Sequence, residues 1–152
     1  MSERLGFYKS SPGGTKIMIE MEKYLHECGL EESLIHLVKM RASQINGCAY
    51  CLDMHSRDAR KLGETERRLY VLDAWRETEL FTVRERAALA WTEALTLISQ
   101  THAPDSAYAE ARAQFSDAEL ADLTLLIGTI NIWNRIAIGF RMPLPVEQSG
   151  AV

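Results

Sequence analysis

The feature that most restricts what this chain can fold into is its last long run, Ser116 to Arg141. It contains no proline and carries apolar residues on more than one helical face: Leu120, Leu123, Leu126, Ile127, Ile130 and Trp133, but also Leu125, Ile132, Ile136 and Ile138. Ser116-Asp-Ala-Glu119 has capping-box form and opens a helix, while Pro143 and Pro145 close it. A helix apolar around so much of its surface must be covered on several sides. Asn131, Asn134 and Arg135 in its middle argue against a membrane span. It is therefore expected as the central helix of a bundle or as part of a subunit interface.

The rest of the chain reads as shorter helices between breaks. Ser11-Pro12-Gly13-Gly14 precedes a helix predicted from Thr15 to Cys28, ended by Gly29. Glu31 to Gln44 forms the next, with Leu34, Leu37 and Val38 on a partly apolar stripe. Helices are predicted from Ala49 to Leu62, capped by Gly63, and from Glu64 to Arg76. Thr82-Val-Arg-Glu85 is a second capping box, and Ala88, Trp91, Leu95 and Ile98 carry helical spacing to Ser99. Pro104 suits the start of a short helix to Gln114. No stretch alternates with period two. The expectation is an all-α, single-domain bundle over residues 1–152 that oligomerises to cover its last helix.

A net charge of −4 disfavours nucleic acid or an anionic membrane as partner. The opening Met1-Ser-Glu-Arg-Leu-Gly has no apolar core of signal-peptide length, so a cytoplasmic setting is expected. In a reducing compartment a CxxC is more often redox-active or metal-binding than a permanent staple.

The chemistry concentrates in Cys48-Ala-Tyr-Cys51-Leu-Asp-Met-His55. On a helix these i,i+3 and i,i+4 spacings bring all three side chains to one face. An i,i+3 pair lies about 5 Å apart at Cα, within disulfide reach. Asn46-Gly47 breaks the preceding helix, which places the cysteines in the first turn of the next. Unsatisfied N–H groups and the helix dipole there favour a thiolate, and a histidine one turn on can take the thiol proton. Cys51 is the expected attacking sulfur because it has His55 one turn away, and Cys48 would then resolve the sulfenic acid to a disulfide. The thioredoxin pattern argues the reverse order. No organic cofactor motif is present.

Arg41-Ala-Ser-Gln-Ile-Asn-Gly-Cys48-Ala-Tyr-Cys51-Leu-Asp-Met-His55, continuing through Arg57-Asp-Ala-Arg-Lys-Leu-Gly63, resembles the alkylhydroperoxidase D branch of the carboxymuconolactone decarboxylase superfamily. The similarity continues in Glu85-Arg-Ala-Ala-Leu-Ala-Trp91-Thr-Glu93 and from Leu123 to Arg135. The resemblance implies an all-helical subunit in trimers or hexamers. It also implies a cysteine pair that reduces peroxides and is reset by an external dithiol, such as a lipoylated protein or a redoxin. The family pattern has a glutamate twelve residues before the first cysteine, forming a proton relay with the histidine. Here that position is His36. An imidazole can shuttle protons but cannot supply a carboxylate's fixed charge, and the His36–His55 pair is expected to keep one member neutral at pH 7.

Two other readings stand beside this one: a redox sensor without turnover, and a zinc-stabilised assembly holding Cys48, Cys51, His55 and His36 as a Cys₂His₂ set. Against zinc, ligand cysteine pairs usually sit on a knuckle or turn rather than along one helix, so no metal is assigned. Cys28 is expected as a small buried hydrophobe, and His26 and His102 as solvated or capping residues. Ser43 and Asn46 are read as capping residues that can also donate near the cysteines, and Tyr50 as a residue that packs or shapes thiol access. Trp133, Asn134 and Arg135 are expected to pack, with the arginine salt-bridged, and Glu64 to Arg68 to form a solvated face.

Overall fold

The computed structural model describes residues 2–145 and is helical, with no strand among them. In chain order the elements are α1 Phe7–Ser10, α2 Pro12–Glu27, α3 Glu32–Asn46, α4 Ala49–Lys61 and α5 Glu66–Tyr70. A 3₁₀ segment Leu72–Glu77 follows, then α6 Val83–Thr96, α7 Ile98–Thr101, α8 Asp105–Arg112 and α9 Asp117–Phe140. Both capping boxes form, at Thr82 with Glu85 and at Ser116 with Glu119. Pro104 is the N-cap of α8, so the helix begins at Asp105, one residue after the predicted start, and ends at Arg112 rather than Gln114.

The helix buried on every side is α3, not the last one. Every residue from Leu34 to Met40 is buried, and so are Ala42 and Ser43. One face of α3 (Leu34, Ile35, Val38) packs with Trp91, Leu123, Leu126 and Ile127 of α6 and α9. Its other face (Leu37, Met40) packs with Ala59, Leu72, Trp75 and Leu89. Each such aliphatic side chain removed from water contributes about 1.5–3 kcal/mol, so the bundle is organised around α3. By length and composition α9 could cross a membrane. In the bundle it packs against α2, α3, α4, α6 and α8, leaving Leu125, Ile132 and Ile138 exposed on its outer face.

The helix predicted from Glu64 to Arg76 is divided. It breaks after Tyr70 and continues as the 3₁₀ segment, with Ala74 at φ −107° and ψ 28°. Arg86 on α6 ties down the far end of this segment, its guanidinium donating to the carbonyls of Trp75, Arg76 and Thr78. The charged run before it is solvated at Thr65, Glu66 and Arg67, but its two ends are partly covered. Arg68 is paired with Glu64 at 2.9 Å and Glu85 at 2.6 Å, donates to the Leu80 carbonyl, and covers the Phe81 ring at 4.6 Å. The segment α1, unforeseen from sequence, docks on the end of α9 through Phe7, which stacks on Phe140 and meets Trp133 edge-on.

Candidate active site

The turn between α3 and α4 builds the sulfur site. Gly47 sits at φ 71°, a left-handed conformation that a side chain would strain, and it reverses the chain after Asn46. The Cys48 N–H then donates to the Ser43 carbonyl at 3.0 Å. Cys48 is thereby the N-cap of α4 rather than a residue inside its first turn, and its Sγ accepts from the Cys51 N–H at 3.3 Å. The two cysteines are paired, with Cα atoms 5.4 Å apart. Both are buried, but only Cys51 lines the adjoining cavity of about 430 Å³. Any reagent entering that cavity meets Cys51.

The cavity has an apolar side and a polar side. Tyr8, Tyr50, Met54, Trp133 and Met142 supply the first. The second holds the expected His36 and His55, whose rings lie 5.8 Å apart, each only 6% exposed. Neither Nδ1 has a hydrogen-bond partner among the described residues. Burial, then the charge of Lys39, then His36, push His55 down to about 3, against the pull of Asp58. The same burial and Lys39 hold His36 below its usual value, opposed by Asp58 and Glu32. Both imidazoles are therefore displaced toward the neutral form, where one of the pair was expected to be.

Several residues of this wall escaped the sequence reading. Lys39 is 2% exposed, and its ammonium donates to Glu22 of α2 at 2.5 Å. Trp133 donates its indole N–H to the other oxygen of Glu22 at 2.9 Å, so it lines the site rather than only packing. His26, expected to be solvated or capping, is exposed, yet it also lies 3.4 Å from the Lys39 ammonium and 2.8 Å from Glu32, with its ring 6.1 Å from His36. The one available signal was a lysine inside the apolar run Leu34 to Met40.

Other assignments are also revised. Ser43 and Asn46 do more than cap: Asn46 donates to Asn134 at 2.8 Å and Asn131 at 2.9 Å, and Asn134 donates to Ser43 at 3.0 Å. Arg135 donates to the Asn131 carbonyl and side chain, and it pairs with no carboxylate among the described residues. Cys28 is only half-buried, its thiol donating to the Leu25 carbonyl at 3.2 Å. His102 caps α7 in a left-handed conformation. No group of three His, Cys, Asp or Glu among the described residues is arranged to hold a metal ion, and Cys48 and Cys51 are paired with each other. His36 and His55 line the cavity, and Cys48 does not.

Fold and site together define an all-helical protein with a buried cysteine pair at a helix start, opening on a histidine-walled cavity. Residues 12–94 match the model of the Carboxymuconolactone decarboxylase family, and the chain belongs to that family, in its AhpD-like branch. It is 46% identical over 138 residues to the uncharacterised Bacillus subtilis protein YdfG, covering 91% of this chain and 94% of that one. The crystal structure of an Agrobacterium tumefaciens protein of unknown function, proposed to be the antioxidant defence protein AhpD, superposes with a TM-score of 0.92. The two are 46% identical over 96% of this chain and all of the other. A Ralstonia eutropha peroxidase-related protein with an AhpD core shares the fold at a TM-score of 0.80 and 17% identity, over 92% and 75% of the two chains.

Proposed function

We propose that this chain is a thiol-dependent peroxide reductase whose reacting sulfur is Cys51. The observation that carries the reading is that Cys51 alone of the pair lines the cavity, while Cys48 sits behind it at disulfide distance. The Cys51 thiolate attacks one peroxide oxygen, the O–O bond breaks, and the departing alkoxide takes a proton to leave as the alcohol. Cys48 then attacks the Cys51 sulfenic acid, forming the S–S bond and releasing water. An external dithiol, itself oxidised to a disulfide, restores both thiols. It enters through the same cavity, so it too attacks Cys51. Cys48 leaves as a thiolate, held at the N-cap by the Cys51 N–H. A narrow dithiol suits this approach, either a lipoylated protein's arm or a redoxin.

The weak basicity of His55 favours slow turnover, because a base far below a thiol's pKa holds its proton poorly. The same observation favours a second reading, a sensor that oxidises once and waits. Peroxide consumption with dithiothreitol in excess separates the two. Continuous loss of peroxide, abolished by Cys51→Ser, is the expected result, and one equivalent consumed without turnover would assign the sensor. The assembly proposed is a homotrimer or homohexamer in a reducing cytoplasm, supported by the exposed Leu125, Ile132 and Ile138 on α9. Light scattering should give a multiple of 17.2 kDa, and a stable monomer would remove the assembly.

A further inference from the structure

We propose that Glu32 is the outer end of a proton path that leads from Cys51 through His55 and His36 to solvent. It rests on Cys51 being the reacting thiol. The path is visible as a file of groups on two helices, α4 and α3. His55 of α4 and His36 of α3 stand 5.8 Å apart between ring centres, and the Nδ1 atom of each is buried without a partner among the described residues. The opposite end of the His36 ring points outward, with its Nε2 3.9 Å from Glu32, one turn earlier on α3. Glu32 is 44% exposed, so its carboxylate touches both the buried ring and bulk water.

His26 of α2 fixes that carboxylate. Its Nδ1 donates to both Glu32 oxygens, at 2.8 and 2.9 Å. Its Nε2 lies 3.4 Å from the ammonium of Lys39 and 3.7 Å from Glu22. The charged and titratable groups around the file are thus Glu22 and His26 from α2, Glu32 and Lys39 on α3, and Asp58 on α4. Glu22 is taken by Lys39 at 2.5 Å and Asp58 by Lys61 at 2.8 Å, while the Glu32 carboxylate stands 3.9 Å from Nε2 of His36.

The transfer balances without a co-reactant. The Cys51 S–H proton passes to a ring nitrogen of His55, which releases the proton from its other nitrogen. His36 takes that proton at Nδ1 and gives up the one on Nε2 to Glu32. The Glu32 acid loses it to water or buffer. Neutral rings suit this traffic, because each can accept on one nitrogen while donating from the other. The space between the two rings is spanned by ring rotation or by one water, for which the cavity has room. Glu32 touches no reacting atom and acts as a positioning and relay residue.

The test uses the reduced protein with Cys28→Ser, reading the reaction of Cys51 with a small aromatic disulfide probe by stopped flow, so it does not depend on peroxide turnover. In dilute buffer Glu32→Gln should slow the reaction about tenfold, less than removal of a base in direct contact. Added imidazole or acetate should restore the rate, because a free acid–base pair replaces the missing carboxylate. Glu32→Asp should retain most of the rate. In a His36→Gln background, Glu32→Gln should add no further loss, since the path is already cut. A Glu32→Gln protein with unchanged rate and buffer response overturns the path. So does a slow variant that no buffer rescues, which would make the role of Glu32 structural. If wild type consumes no peroxide while these probe results hold, the peroxidase reading fails and the path stands.

Discussion

Two polar clusters flank the Cys48 turn, and they are built to opposite rules. Behind the turn, Ser43, Asn46, Asn131 and Asn134 bond to one another, and Asn131 extends the set to Thr96 of α6 at 3.1 Å. None of their side-chain nitrogens or oxygens is buried without a partner. In front of it, the histidines of the cavity wall keep buried nitrogens open. A closed buried network fixes geometry, and an open one holds capacity for protons or ligand at a cost in stability. The turn that positions the sulfurs is therefore rigid on one side and chemically unfinished on the other.

The largest effect expected from this contrast is on the open side. His55→Gln should lower peroxide reduction by about 10²–10⁴, the usual worth of a real acid–base group, with little loss of fold. His36→Glu should raise it, since a carboxylate beside His55 would restore basicity that burial and Lys39 remove. Unchanged rates in both variants would mean that the open nitrogens take no part in the chemistry.

Next comes acid. His55 protonates near 6.5 in the unfolded chain but near 3 when folded, and His36 shifts in the same direction. Below pH 6.5 the unfolded state binds more protons, so stability is complete above that value and is lost as pH falls toward 3. Urea denaturation should show a loss from this site of about 3 kcal/mol between pH 6.5 and roughly pH 4. His55→Gln should flatten the slope. An equal slope in that variant would place the acid sensitivity elsewhere.

The closed side should answer differently. Asn134→Ala leaves Ser43 and Asn46 short of partners in a buried site and should cost about 2–3 kcal/mol in stability. A loss below about 0.5 kcal/mol would show that water repairs the network and would remove the contrast between the clusters. The smallest effect belongs to the surface. Arg84 bridges Glu31 and Glu119 at 2.8 and 2.7 Å but is partly exposed, so Arg84→Met should cost about 1 kcal/mol or less, and still less at high salt.

Much of the sulfur half of the site was legible before any coordinates. The spacing of Cys48, Cys51 and His55 and the turn at Asn46-Gly47 are local features, and they produced the expected helix start and cysteine pairing. The polar wall was much less so. Glu22 and His26 lie on α2, more than twenty residues before the CxxC, and join the site because α2 packs on α9, which also meets α3 and α4. Lys39 reads as a surface lysine until Glu22 and Trp133 are brought beside it. The division of the helix expected from Glu64 to Arg76 left no local signal either, since that stretch contains no proline or glycine.

By itself, then, the sequence determined the helical class, most helix boundaries and the disulfide-forming pair. Those depend on capping, proline and glycine conformation and i,i+3 or i,i+4 contacts, all settled within a few residues. Tertiary structure decided that α3 rather than α9 is the enclosed helix, which sulfur faces the cavity, and which charges depress the two histidines. These depend on crossings between helices distant in sequence, where the free energy is summed over a whole packed interface and leaves no local periodic trace.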